Sequence, residues 1–206
     1  MRDDAAGQPP GPTDASRALS LLWTPLVAVT AAHDGVRSGQ IAVSVHGASI
    51  VPQRPRLTAA LWKRNLTHDL VAAAGAFAVH LLRDDQDDLV YRLGLRSGRD
   101  GDKLAGLSLR AGITGCPILQ DCLAVYECRL LNSMDGGDMT VFLGEVVAMD
   151  DGEGAPLWWR DLRPRMPAEH ADAWARKIAA DIEHSLRTMD AGLPADRDDS
   201  ESDRVR

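Results

Sequence analysis

The sequence predicts a mainly β protein, an antiparallel β-barrel with helical insertions and a C-terminal helix. Three observations carry this prediction. Six strand-like apolar runs are spread over the chain: Pro25–Ala31, Gly39–Val45, Arg56–Leu61, Ala76–Leu82, Cys122–Leu131 and Met139–Met149. Turn chemistry separates them, with Asp34-Gly35 and Asp135-Gly136-Gly137 as the strongest hairpin signals. Helical spacing is confined to a short segment at Asp14–Leu22, to Thr67–Ala74 and Gln86–Leu95, and to the long Ala168–Met189.

Each element follows from its residues. Residues 1–13, with Pro9, Pro10, Pro12 and two glycines, lack the apolar content to build a core and are expected to be a disordered tail. Pro25–Ala31 reads as a buried strand, and His33-Asp34-Gly35 turns it into its partner. Thr67 suits a helix N-cap, Asp69 suits the first turn, and Leu66, Leu70 and Val71 share a face. In the second helix Leu89, Val90 and Leu93 point inward. The stretch RSGRDGDK, Arg96–Lys103, reads as a mobile charged loop, and the segment up to Gly115 is weakly patterned. Ala124, Tyr126, Cys128 and Leu130 alternate onto one face of a strand. Trp174, Ile178, Ile182, Leu186 and Met189 form an apolar stripe on the last helix. The charged segment 190–206 is expected to be a second disordered tail, which leaves 14–189 as one domain.

Composition narrows the function. With 206 residues, 45% hydrophobic and 26% charged, the chain has the make-up of a soluble globular domain. A net charge of −7 argues against a broad nucleic-acid surface but leaves room for a small anionic ligand held by a few local cations. No apolar run approaches the about 20 residues of a membrane span. The acidic, proline-rich N-terminus does not resemble a signal peptide, so a cytoplasmic address is expected. Cys116, Cys122 and Cys128 give neither a disulfide framework nor a C-x-x-C metal motif. The six histidines form no metal-ligand pair. His33, His170 and His184 read as solvent-facing, and His80 as a strand residue satisfied within the fold. His68-Asp69 beside Thr67 suggests a hydrolase triad only superficially, because no G-x-S-x-G elbow accompanies it. A P-loop and a Rossmann glycine fingerprint are also missing, which excludes the usual ways of holding ATP or a dinucleotide.

The stretch from His33 to Thr67 concentrates the binding chemistry. Gly47 and Ala48 offer almost no side chain, so a planar ligand could approach the backbone. The hydroxyls of Ser44, Ser49 and Thr67, with Lys63, Arg64 and Asn65 just before a helix start, suit a phosphate. His46 lies in the same segment. Without further information Lys63-Arg64 could equally be a solvated charge pair. Together these residues point to a phosphorylated, planar, aromatic cofactor.

The run PLVAVTAAHDGVRSGQIAVSVHGASIVPQRP resembles the opening of the flavin reductase-like family, the FMN-binding split barrels. The matching features are Val29-Thr30, Asp34-Gly35, Gly39, Ser44, Ser49-Ile50, and Pro52 with Pro55. Further matches are Gly75–Leu82, Gln86, Asp102-Lys103-Leu104, Gly115–Leu119 and Gly136-Gly137-Asp138 with Leu143–Val146. The likeness covers roughly Leu22 to Met149. His80 stands where the family often has Asn, and Met139 stands where it has the His associated with the nicotinamide side of the site.

The resemblance implies a split barrel that binds FMN or FAD and takes hydride transiently from NAD(P)H. It places the cofactor among Ser44, His46, Gly47, Ala48, Ser49, Lys63, Arg64, Asn65 and Thr67, with no metal. It further implies a homodimer and a partner monooxygenase as electron acceptor. Trp158, Trp159, Arg160, Arg163 and Arg165 could pack on the partner subunit. A non-catalytic flavin- or haem-binding module on the same barrel and a cofactor-free structural dimer are the alternatives.

Overall fold

The computed structural model describes residues 17–189. Both tail expectations, and the start of the first expected helix, lie outside this range; residues 17–20 are helical. The strands are β1 (Val27–His33), β2 (Val36–Ala42), β3 (Val45–Gly47), β4 (Arg56–Trp62), β5 (Ala76–Leu81), β6 (Leu109–Ala111), β7 (Pro117–Leu119), β8 (Ala124–Asp135) and β9 (Met139–Asp151). The helices are α1 (Leu66–Ala74), α2 (Asp87–Leu95), α3 (Trp159–Leu162) and α4 (Ala168–Thr188), with a 3-10 turn at Arg163–Arg165.

Seven strands form one antiparallel sheet in the order β2-β1-β5-β8-β9-β4-β3. The two-residue Asp34-Gly35 hairpin sets the β1–β2 register, pairing His33 with Val36, and both turn residues have positive φ. The run expected as one strand, Gly39–Val45, is two: it breaks at Val43-Ser44, and its halves lie on opposite edges of the sheet. Local pattern could not show this, because the break serves closure. Thr24 N–H donates to the Val43 carbonyl at 2.9 Å, and Ala60 N–H donates to the Ser44 carbonyl at 3.0 Å. These bonds bring the β2 end against β4, so the sheet curls into a barrel.

Apolar side chains fill two sides of the curl. Inside, Val29, Ala31, Leu61, Val71, Phe77, Val79, Cys128 and Phe142 pack together under α1. Outside, Leu26, Leu82, Val90, Leu93, Leu104, Leu157 and Leu162 form a second layer, joined by the half-buried Trp159 and Trp174. The weakly patterned region before Gly115 and the residues after it pair as the small β6–β7 hairpin.

Several local expectations change in context. The N-cap position of α1 is Asn65; Thr67 is buried, and its hydroxyl bonds Ser38 Oγ at 3.1 Å. The loop expected to be mobile, residues 96–103, is tied down by Arg37–Asp102 and Arg99–Asp69 ion pairs and by Lys103 Nζ donating to the Leu93 carbonyl. His170 stacks on Tyr91 at 4.2 Å instead of facing solvent. On α4 the expected apolar stripe largely faces out, with Ile182 54% and Leu186 72% exposed, whereas Asp181 and Ser185 are buried.

Candidate functional site

A cavity of about 220 Å³ opens between β2, β4, the end of α2 and α4. Gln40, Ser44, Ala60, Trp62, Asn65 and Met139 line its barrel side. Its other walls include Trp23, Trp159 and Trp174, with Arg96, Lys103 and Lys177 as cations. Val43 and Ser44, at the break between β2 and β3, lie in its wall.

The polar groups are few and unusual. Gln40 is 5% exposed, and its Oε1 has no hydrogen-bond partner. A buried orphan acceptor costs free energy, so a donor supplied by a ligand would stabilise the site. Lys103 is 5% exposed; burial, and then the nearby Lys177, push its pKa down to about 8. Asn65 makes no capping bond from its side chain, so the positive end of α1 has no side-chain cap, although the His68 N–H donates to the Asn65 carbonyl at 3.0 Å. In a chain of net charge −7, a pocket flanked by Lys103, Lys177 and Arg96 is a local reversal of sign.

Of the cofactor-binding residues expected from sequence, Ser44 and Asn65 line this cavity, together with Met139 and Trp159, which the sequence singled out on other grounds. Lys63 and Arg64 adjoin it on the turn before α1, but each is held by a carboxylate. Lys63 Nζ bonds Asp135, and that ammonium keeps the Asp135 carboxyl below its ordinary pKa, helped by the Gly137 N–H. Arg64 Nη1 lies 3.0 Å from Asp181 Oδ1. Thr67 is buried against Ser38, as described. His46 and Gly47 are on exposed β3, and Ala48 and Ser49 follow in the exposed connection to β4. Ser49 Oγ accepts from Val51 N–H at 3.0 Å. These four residues do not line the cavity.

Sequence reading did not single out Gln40, Trp62, Lys103, Trp174 or Lys177 as wall residues. The Asp102-Lys103-Leu104 motif was a signal for Lys103; nothing local marks the others, because the curl and the docking of α4 assemble them.

His68 lies beside the site, with Nδ1 3.0 Å from Asp69 Oδ1 and Nε2 2.9 Å from Thr140 Oγ1. Thr140 is buried, so this chain of bonds joins α1 to β9 and presents no exposed nucleophile. His80 is fully buried. Its Nδ1 donates to the Ala28 carbonyl, and its Nε2 accepts from Leu119 N–H, each at 3.1 Å. Among the described residues no His, Cys, Asp and Glu cluster could hold a metal ion. None of the described helices is long and apolar enough to cross a membrane.

The fold and site together define a class of protein, the flavin-binding split barrels. The flavin reductase like domain matches residues 19–165, and the chain belongs to that family. It is 31% identical over 175 residues to an NADH:riboflavin 5'-phosphate oxidoreductase of Streptomyces pristinaespiralis, covering 82% of this chain and 97% of that one. It is 32% identical over 129 residues to the reductase component of a 4-nitrophenol 4-monooxygenase/4-nitrocatechol 2-monooxygenase of Rhodococcus opacus, covering 63% and 66%. Against the high molecular weight rubredoxin of Moorella thermoacetica, 32% identical over 133 residues, it spans 64% of its own length and only 57% of the relative. The fold matches that of an FMN-binding protein from Thermus thermophilus with a TM-score of 0.60 and 30% identity, covering 73% of this chain and 80% of that one.

Proposed function

We propose that this protein is an NAD(P)H-dependent flavin reductase acting on FMN, with reduced flavin passed on to a partner monooxygenase. The observation that carries the reading is the cavity itself. It combines flat aromatic and apolar walls, one orphan acceptor at Gln40 and a cationic surround next to the uncapped start of α1. This donor set fits a planar, uncharged ring bearing an anionic tail. Gln40, Ser44 and Trp62 would hold the ring, and Asn65, Arg64 and Lys63 would face the phosphate. The flavin supplies the hydride-accepting chemistry when bound. The chain positions it, excludes water with its tryptophans and supplies positive charge. Hydride transfer needs no side-chain acid or base, so Met139 in the place of a histidine is compatible with reductase activity.

The relatives named as a reductase component and as an NADH:riboflavin 5'-phosphate oxidoreductase support this activity. Mixing the FMN-loaded protein with NADH or NADPH under anaerobic conditions tests it. Loss of the visible absorbance of oxidised flavin with one or both donors is expected, and an unchanged spectrum with both would refute the reading.

We also propose that the protein works as a homodimer. Leu131 and Met134, toward the turn end of the β8–β9 hairpin, are exposed, and a second subunit would cover them.

A further inference from the structure

The family domain ends at residue 165, yet α4, residues 168–188, lies across the cavity and supplies Trp174, Lys177 and Ile178 to its wall. Around Asp181 and Ser185 its attachment is polar, while Trp174 packs into the apolar layer. Trp62 Nε1 donates to Ser185 Oγ at 3.0 Å, Arg64 pairs with Asp181 at 3.0 Å, and Lys177 bonds the same carboxylate from the helix side. Asp181 is 4% exposed and therefore brings a buried charge into a surface helix. Meanwhile Ile182 and Leu186 face solvent. Apart from Trp174, which packs 4.8 Å from Trp159, the part of the helix around residues 181–185 is docked by polar groups and loses little apolar burial when it leaves.

We propose that α4 is a displaceable lid, and that Asp181 occupies Arg64 in place of the phosphate of the flavin. The proposal rests on the flavin reading above. Arg64 lies just before the start of α1, where no side chain caps the helix and an anion gains both the guanidinium and the positive end of the helix dipole. In the closed arrangement a carboxylate from the chain itself holds that position. The cavity, about 220 Å³, is below the about 300–1,000 Å³ of ordinary small-molecule sites, and movement of α4 would enlarge it for a flavin with its tail. Pro167, with Met166 in an extended conformation before it, provides a hinge between the 3-10 turn and the helix. At the far end Met189 abuts Gly137, so the helix closes onto the β8–β9 turn beside Met139. Opening then frees Arg64 for phosphate and exposes the ring to a nicotinamide or to an acceptor protein.

The test uses the full-length protein and its Asp181→Asn variant, titrated with FMN and with riboflavin by flavin fluorescence. Hydrogen exchange of the α4 amides is followed in parallel. Removing the competing charge should tighten FMN binding about tenfold and change riboflavin binding by less than about twofold. FMN should speed exchange along α4 in the unmodified protein. Equal FMN affinity in both proteins, weaker FMN binding in the variant, or slowed α4 exchange on adding FMN would each overturn the lid while leaving the flavin reading in place. Absence of flavin binding in both proteins would remove the flavin reading and the lid with it. Should Asp181→Asn fail to fold, Ser185→Ala releases the Trp62 anchor and should tighten both flavins; faster α4 exchange with unchanged affinity would overturn the proposal.

Discussion

His80 illustrates how one buried side chain carries fold energetics. Its two hydrogen bonds require a proton on Nδ1 and a free Nε2, so the fold holds it neutral. Burial is the main reason its pKa falls from 6.5 to about 4. In the unfolded chain the imidazole takes up a proton as pH drops below about 6.5, while in the fold it does so only near 4. Stability is therefore complete above the unfolded value and is lost as pH falls through this window, by about 3 kcal/mol at most. Urea unfolding between pH 7 and pH 4 should show this loss, and His80→Asn, which cannot titrate, should flatten it. An identical slope in the variant would assign the acid sensitivity to other groups. Lys103 works in the opposite pH range. Its ammonium, with a pKa near 8, adds positive charge to the cavity only below that pH. FMN affinity should accordingly weaken as pH rises from 7 to 9, and Lys103→Met should remove that dependence.

At the scale of elements, close approach decides where glycine is required. A Cβ on Gly144 of β9 would lie 2.7 Å from Phe77 Cζ and 2.9 Å from Cys128 Cβ, in the middle of the barrel core. Gly144→Ala should destabilise the fold by about 1–3 kcal/mol, the usual cost of overpacking, read as a lowered urea midpoint. Gly94, in α2, is the counterpart at the site. A Cβ there would meet the Trp174 ring at 2.7 Å, so that glycine lets α4 lie flat on α2. Gly94→Ala should speed hydrogen exchange in α4 while the barrel strands remain protected. Uniform loss of protection would mean that α4 and the barrel unfold as one unit.

Assembly belongs to the whole molecule. Within the chain the half-buried Trp159 packs 4.8 Å from Trp174 and 6.2 Å from Trp23, while Trp158 lies under the Arg160 guanidinium at 4.4 Å. Trp159→Ala should thus lower flavin occupancy without altering the oligomeric state. Met134→Glu, on the exposed part of β8, should shift a dimer toward monomer. Sedimentation velocity over a range of concentrations, read with flavin absorbance, separates these outcomes. A native protein that remains monomeric at high concentration would refute the proposed homodimer.

The sequence by itself determined the family, the order of the long strands β1, β2, β4, β5, β8 and β9 and of the helices α1, α2 and α4, and the turn chemistry that sets the first hairpin. These features depend on short-range patterns: Asp34-Gly35, the alternation along residues 124–130 and the helical spacing before Gly75. It also singled out Ser44, in the segment rich in small and hydroxyl residues, and Asn65, beside a helix start, and both line the cavity. Only the tertiary structure decided the rest. The break at Val43-Ser44 arises because barrel closure sends the two halves of one apolar run to opposite edges of a sheet. The face of α4 that docks was not legible, since its apolar stripe predicts burial of Ile182 and Leu186. The barrel instead offers Arg64 and Trp62, which bind Asp181 and Ser185. Periodicity reports which face of a helix is apolar; what that helix meets depends on residues more than 100 positions away in the chain.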